Sequence, residues 1–270
     1  MLAIRIVGGL GNQLFGYALY RYLLAHGKRA KLDIGFYRHQ NMPDIDKRDY
    51  YLEKYFNVNA DYLNLMEKAE IYCYRKIGRY DELKYFDKGK GYEADVLNVN
   101  RGVIEGYWST FLFAEEQREG LLRTLSLENK YEDDPLLREI KSVNSVSIHV
   151  RRGDYVKLGI DLPRSYYDEA MEYMQRKICN PRFYCFSNDI RYCKKIYGKD
   201  ITFIERDDAL FDLCAMSACK YNIVANSTFS AWAAWLNNYD NKIVLHPSKW
   251  YPGKESKLDE RIWPEKWVCL

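Results

Sequence analysis

The chain lacks most of what extracellular, metal-stapled or membrane-spanning proteins are built on. Its seven cysteines (Cys73, Cys179, Cys185, Cys193, Cys214, Cys219 and Cys269) are odd in number and form no CxxC pair. Neither a disulfide framework nor a zinc cluster is indicated, and a reducing cytoplasm is expected. No apolar run approaches the length that spans a bilayer. Met1 leads straight into strand-like Leu2-Ala3-Ile4, so no secretory leader is expected. An excess of one charge is missing too, since 41 Lys and Arg against 38 Asp and Glu leave +3. That is too little to hold nucleic acid or a membrane surface, so an anionic ligand must be met by a local cluster. His26, His39, His149 and His246 are too scattered to suggest a metal site. GxSxG, HExxH and GxxxxGK[ST] are all absent. Asp44-Ile45-Asp46 has the DxD form of some metal-dependent sugar transferases, but it sits in a polar turn, Asn41-Met42-Pro43-Asp44, and reads as a chance match.

What is present is an α/β rhythm. With 270 residues, 47% of them hydrophobic, the chain can bury a sizeable core and form two compact domains. The 25 tyrosines and 6 tryptophans lean slightly towards carbohydrate, and composition bias explains them as well. Residues 2–7 read as a strand, Gly8-Gly9-Leu10-Gly11-Asn12-Gln13 as a tight loop, and 13–26 as a helix stopped by Gly27. A second strand is expected over 31–34. From 36 to 110 the pattern is less regular, with a strand expected near 102–108. Helices are expected over 114–125 and 135–143, the latter with Asp134 as cap and Pro135 in its first turn. Thereafter strands at 145–150, 182–187, 201–205, 221–225 and 242–246 alternate with helices at 165–178, 190–197, 207–217 and 227–236. This rhythm implies parallel sheets with helices on both faces. The domain boundary is expected near 130–144, giving domains 1–140 and 141–270.

Three stretches carry the candidate chemistry. The first is the strand end His149-Val150-Arg151-Arg152-Gly153-Asp154-Tyr155. A strand running into a glycine turn is where open α/β sheets place ligands. The paired arginines match phosphate oxygens, and Asp154 is placed to take a proton. A surface strand end with an Arg–Asp ion pair is the competing reading. The second is the glycine loop. It fails GxGxxG because Leu14 stands at the third glycine. Backbone N–H groups with Asn12 and Gln13 can still hold a phosphate or a sugar hydroxyl, unless this is a plain turn with an Asn cap. The third is Ala225-Asn226-Ser227-Thr228-Phe229-Ser230, small hydroxyl residues at a helix start. It suits an anion, with Phe229 for a nucleobase, or reads as ordinary capping.

Taken in order, these motifs resemble the α-1,2-fucosyltransferases. The resemblance rests on Gly8 to Phe15, on His149 to Tyr155, on Phe186-Ser187-Asn188-Asp189 and on the run from Asp212 to Leu236. It spans residues 8 to about 250. It implies a GT-B-like fold, two Rossmann-like domains facing a cleft. The acceptor would lie mainly on 1–140 and the donor on 141–270. It implies an inverting, metal-independent transfer of L-fucose from GDP-fucose to the 2-hydroxyl of a terminal β-galactoside, in surface-glycan (lipopolysaccharide O-antigen) synthesis. No cofactor, nucleic acid or membrane span is implied, and the place of work would be the cytoplasm, or peripheral at the inner membrane face. Arg151 and Arg152 would bind the diphosphate, and His149 the ribose or phosphates. Asn226, Ser227, Thr228 and Phe229 match the donor loop, and Asp212 an acidic position expected to meet the guanine amine. The competing reading of Asp212 is a solvated helix residue. Gly11, Asn12 and Gln13 would close on the donor from the other domain. Asp154 is the candidate base, or else an anchor for Arg152 or the turn.

Overall fold

The structure is a computed structural model, and it describes residues 1–38, 48–87, 94–127, 130–198, 200–253 and 262–270. The turn at 41–44, His39 and the Asp44/Asp46 pair lie outside the described residues. The chain divides into two compact units, Met1–Leu125 with Glu260–Ile262, and Ser126–Asp259 with Trp263–Leu270.

Unit 1 holds strands β1 (Leu2–Arg5), β2 (Ala30–Asp33), β3 (Lys84–Phe86) and β4 (Gly102–Glu105), parallel in the order β2-β1-β4-β3. Its helices are α1 (Leu10–Ala25), α2 (Leu52–Tyr55), α3 (Leu65–Lys76), α4 (Leu112–Glu116) and α5 (Arg118–Thr124). Leu14, Phe15, Ala18, Leu19 and Leu23 recur at helical spacing, and each is 0% exposed, which makes α1 the unit's core helix. At the strand ends Arg5 ties two neighbours together. Its Nε and Nη2 donate to Asp33 Oδ2 at 2.9 and 2.7 Å, and its Nη1 donates to Glu105 at 2.5 Å.

Unit 2 holds β5 (Ser145–Val150), β6 (Arg182–Ser187), β7 (Ile201–Phe203), β8 (Tyr221–Ile223), β9 (Val244–His246) and β10 (Val268–Cys269). All are parallel, in the order β10-β9-β8-β5-β6-β7. The helices are α6 (Pro135–Ser142), α7 (Asp154–Leu158), α8 (Arg164–Lys177), α9 (Ile190–Ile196), α10 (Ala209–Ala218) and α11 (Thr228–Leu236). Val146, Ile148 and Val150 of β5 pack with Tyr166, Ala170 and Met174 of α8. Truncating a residue such as Ile148 to Ala in such a core costs about 2–5 kcal/mol. The other face of β5 is polar and also buried. Asn222 donates to Ser147 Oγ at 2.8 Å and accepts from Asn237 at 2.8 Å. A central strand is covered on both faces, and that is why all six of its residues are buried.

Two expectations need correction. The boundary falls at 125/126, not at 140/141, because residues 131–142 are bonded into unit 2. Tyr131 donates to Asp208 at 2.5 Å, Arg206 to Asp134 at 2.6 Å and Tyr184 to Glu139 at 2.8 Å. Helix α1 starts at Leu10, so Gly11, Asn12 and Gln13 form its first turn and not a loop. Leu10 is only 5% exposed and already belongs to the apolar face, while Gly9, with extended backbone, is the N-cap. Asp134 caps α6 as expected, accepting from Leu136 N and Leu137 N, with Pro135 behind it. The α/β, GT-B-like architecture expected from sequence is present as two units, each with its own parallel sheet.

Both sheets contain a topological switch point. In unit 2 the chain moves from β5 to β6 and β7 on one side, then to β8, β9 and β10 on the other. The reversal lies between β5 and β8. In unit 1 it lies between β1 and β4. Open parallel sheets bind ligands outside the strand carboxyl ends at such points.

Candidate functional site

The loops at unit 2's reversal are two of the stretches singled out in the sequence. After β5 the chain turns at Gly153, whose φ is +59°. A Cβ there would stand 2.5 Å from Asn188 Nδ2 and have a left-handed backbone as well. Asn188 is the buttress of the turn, since its Oδ1 accepts from the Arg152 N–H at 2.8 Å. Arg152 itself is clamped. Its Nη1 donates to Asp161 at 2.9 Å, its Nε to Asp189 at 3.4 Å, and its guanidinium lies 3.5 Å from the Tyr192 ring centroid. Asp189 also caps α9 by accepting from Tyr192 N.

Arg151 is held more lightly. Its Nη2 donates to Asp154 Oδ1 at 2.6 Å, and its guanidinium lies 5.1 Å from the Tyr155 ring centroid. The structure thus separates the arginine pair. Arg152 is an anchor between two carboxylates and a ring, and Arg151 is the one with capacity for a phosphate. The Asp154 partner is Arg151, not Arg152, and Asp154 stands at the first position of α7. Tyr155 joins the two loops by donating from its hydroxyl to the Asn226 carbonyl at 3.2 Å.

The loop after β8 is tightly drawn. Ser227 N bonds back to the Ala225 carbonyl at 2.7 Å, and Asn226 is 0% exposed. Asn226 Nδ2 donates to the carbonyls of Ile160 (2.8 Å) and Trp250 (2.7 Å), while its Oδ1 is buried without a partner. Ser227 is the N-cap of α11 but makes no side-chain cap bond, whereas Ser230 Oγ bridges Ala225 N and the Ser227 carbonyl. The first turn of α11, with Thr228 and Phe229, follows directly. His149, the β5 residue on the polar face, lies 6.0 Å from the Phe229 ring. It is 6% exposed, and its Nδ1 has no partner. Burial, with the Arg151 charge beside it, pushes its pKa down to about 3, so the ring is neutral at physiological pH. Two buried polar atoms and an arginine at one switch point are groups that a polar ligand or a water can satisfy.

Asp212 stands in the first turn of α10. That helix begins where the chain leaves β7, so its start belongs to the same carboxyl edge of the sheet. Asp212 Oδ1 is buried without a partner. Burial first, and the Asp208 and Asp207 charges second, raise its pKa to about 7 against the pull of Arg206. Asp212 is thus half-buried, with one carboxylate oxygen out of contact with solvent.

In unit 1, Gly11 is buried and Gln13 is 0% exposed. The Gln13 amide is a structural clamp. Its Nε2 donates to the carbonyls of Gly8 (3.1 Å) and Asp49 (2.8 Å), and its Oε1 accepts from Tyr51 N at 2.8 Å. Its expected role as a group offered to the donor does not hold. Asn12 is partly buried, beneath the Gly8 turn.

Sequence reasoning gave no role to Tyr155, Asp161, Asn188, Asp189 or Tyr192. The Phe186-to-Asp189 motif was the one signal for the Arg152 clamp, while nothing local marks Asp161. Among the described residues, no group of three His, Cys, Asp or Glu is placed to hold a metal. His246 stacks on Trp263 at 4.8 Å, and His26 bonds the Tyr22 carbonyl. An open cavity of about 270 Å³ beside the start of α8, lined by Tyr166, Pro247 and Leu270, contains none of the site residues. No helix among the described residues is long and apolar enough to cross a membrane.

Comparison with known proteins adds the following. Residues 1–270 match the model of glycosyl transferase family 11. The chain is 32% identical to an alpha-1,2-colitosyltransferase of Escherichia coli, covering 100% of this chain and 99% of that protein. It is 29% identical to the Escherichia coli O-antigen biosynthesis glycosyltransferase WbnK, covering 95% and 97%. The solved fucosyltransferase NodZ from Bradyrhizobium is similar at 12% identity and TM-score 0.46, covering 86% of this chain and 92% of that one.

Proposed function

The chain belongs to glycosyl transferase family 11, and from that premise we propose that it transfers L-fucose from GDP-fucose to the 2-hydroxyl of a terminal β-galactoside. The site for the donor is the switch point of unit 2. The observation that carries this reading is the division of labour between the two arginines: Arg152 is locked, and Arg151 beside it has, among the described residues, a single carboxylate partner and a ring.

In the proposed reaction the galactose O2 attacks fucose C1 as the C1–O bond to the β-phosphate breaks. The electron pair leaves on GDP, and the anomeric configuration inverts. Arg151 meets the charge that grows on the leaving phosphate, the place a metal would otherwise fill. Electrostatic stabilisation of this kind is worth about 10²–10³ in rate. The start of α11 adds the positive end of a helix. Neutral His149 offers a hydrogen bond to ribose or phosphate, and the Asn226 Oδ1 accepts from a ribose hydroxyl. The Asp212 carboxylate accepts from the guanine amine, and Phe229 packs against the base.

The proton of the galactose hydroxyl goes to Asp154. A sugar hydroxyl is a very weak acid, so the carboxylate takes the proton late in the attack. The 2.6 Å pairing with Arg151 favours a second role, in which Asp154 holds Arg151 in place and base assistance is small. Asp154→Asn separates the two. Loss of turnover with GDP affinity intact identifies the base, and near-normal turnover identifies the anchor.

The similarity to a colitosyltransferase supports a second donor, since colitose is fucose without its 3-hydroxyl. Working in the cytoplasm, or peripherally at the inner membrane face, in surface-glycan synthesis accords with the O-antigen relative. A donor series on lactose tests the proposal. GDP-fucose is expected to be the best donor, followed by GDP-colitose. Transfer from GDP-mannose but never from GDP-fucose would overturn it.

A further inference from the structure

Helix α3 of unit 1 turns an apolar face to solvent. Its inward residue is Ile71, which packs with Ala3, Leu63 and Val103. At about 100° per residue, Leu65, Met66, Ala69, Tyr72, Cys73 and the C-cap Ile77 fall on the opposite arc. All of them are exposed. Leu65 and Met66 are 84% and 80% exposed, Ile77 61% and Tyr72 59%. Among the described residues, no other stretch of this length gathers as many exposed large apolar side chains. Single apolar residues on a surface need no explanation, but a contiguous face of them marks a docking surface.

The helix that carries this face is fixed at both ends. Asn64 accepts from Glu67 N at 3.0 Å, and the Glu67 carboxylate accepts from Asn64 N at 2.9 Å, a reciprocal capping box. At the other end Gly78, with φ +70°, turns the chain, and Arg79 N donates to the Tyr74 carbonyl at 2.9 Å.

The charge around the face has one sign. The arc holds no acid and one base, Lys76, whose ammonium lies 5.7 Å from the Tyr72 ring centroid. The two acids of the helix lie off the arc and are already paired. Glu67 accepts from Lys31 Nζ at 2.9 Å, and Glu70 accepts from Arg101 at 2.7 Å. Lys68 stands at the border of the arc and, with Lys76, sets the sign of the surface. Arg75, which is 4.0 Å from Glu105, adds less.

An apolar face bordered by lysines, on a helix of 12 residues that is too short to span a bilayer, suits the headgroup layer. The lysine stems run along the apolar side chains and leave their ammonium groups among anionic headgroups. A second copy of the chain fits less well. Two-fold pairing through this arc would set the lysines of one copy against those of the other, with both acids of the helix already engaged.

We infer that the outward face of α3 docks unit 1 onto a lipid bilayer that contains anionic phospholipid. Docking needs nothing of the transfer reaction proposed above, and it gives the peripheral location a surface.

The test is co-sedimentation of the full chain with phosphatidylcholine vesicles, with and without phosphatidylglycerol, read beside the GDP Kd and the melting temperature. The unaltered protein is expected to bind the phosphatidylglycerol vesicles more tightly and to lose that advantage as salt rises. Leu65→Ser with Met66→Ser is expected to lower the partition coefficient about tenfold or more. Lys76→Glu is expected to lower it about fivefold on the phosphatidylglycerol vesicles. Both variants should keep the GDP Kd and the melting temperature, because these side chains lie in solvent. If the double variant melts early, Lys76→Glu still decides. No binding by the unaltered protein, equal binding to both kinds of vesicle, or binding undiminished in the variants overturns the inference. So does self-association that the double variant abolishes in sedimentation velocity without any vesicle binding, the sign of a second copy on this face. Fucose transfer is assayed separately, and its failure leaves the vesicle result standing.

Discussion

The two units use one sheet plan and finish it with different residues. At the β5/β8 reversal the strand ends carry Arg151, a neutral buried His149 and the start of α11. At the β1/β4 reversal they carry glycines, phenols and a turn bent around Asp87. Each sheet has an arginine at the carboxyl end of its central strand or just beyond it, and the two have opposite fates. Arg5 is 13% exposed between two carboxylates, whereas Arg151 is 27% exposed with one. The topology supplies a place for a ligand, and the side chains at the place decide its class.

The sharpest way to break this contrast is to remove both arginines in turn. Arg151→Ala is expected to lower kcat/KM for transfer by about 10²–10³ while leaving the melting temperature nearly unchanged. Arg5→Ala leaves buried Asp33 without its ion-pair partner, while Glu105 keeps the Tyr80 hydroxyl and Arg75 at 4.0 Å. It is expected to cost about 3 kcal/mol in chemical denaturation. If Arg151→Ala unfolds the protein, or Arg5→Ala abolishes transfer in a protein of unaltered stability, the assignment of one arginine to chemistry and one to structure is wrong.

A smaller effect is expected at Gly153. Its left-handed backbone and the close approach of Asn188 make Gly153→Ala strained, at a cost of about 1–3 kcal/mol. The damage should fall on the GDP Kd of unit 2, since Arg151 stands two residues before the turn. A GDP Kd unchanged in Gly153→Ala would argue that the turn does not position Arg151.

The third expectation concerns pH. Folded Asp212 holds its proton up to about 7, above an ordinary aspartate. A raised carboxyl pKa favours the folded state at low pH, and that contribution is lost as pH rises through about 7. Asp212→Asn should therefore melt higher than the unaltered protein at pH 8.5 and about the same at pH 4. Guanine needs the carboxylate, so GDP affinity should weaken as pH falls below 7 and become flat in Asp212→Asn. His149 adds no slope there, because it is already neutral. A GDP affinity independent of pH in the unaltered protein would remove Asp212 from the base-binding role.

Much of unit 2 was legible in the sequence, and little of unit 1's middle was. Strand β6 runs from Arg182 to Ser187, as the residue pattern indicated, because the aromatic residues Phe183, Tyr184 and Phe186 are bounded by Asn188-Asp189. Helix α6 was announced by its own cap and proline. In unit 1, β3 and β4 are three and four residues long, and α2 is a single turn, too short for any period to show. The site divides in the same way. His149, Arg151 and Asn226 sit in contiguous motifs that name themselves. The clamp on Arg152 joins Asp161 and Asp189 over long sequence gaps, and the clamp made by Gln13 reaches Asp49 and Tyr51. Pairings of that kind are set by the packing of strand ends and leave no local signal.

The central claim is that unit 2's switch point delivers fucose from GDP with inversion to a galactose 2-hydroxyl. The direct measurement is NMR of the product formed from GDP-fucose and lactose. The account predicts a single trisaccharide with an α-fucosyl anomeric signal and a correlation from fucose H1 to galactose C2. A β-linked product, or fucose on any other hydroxyl, would contradict it.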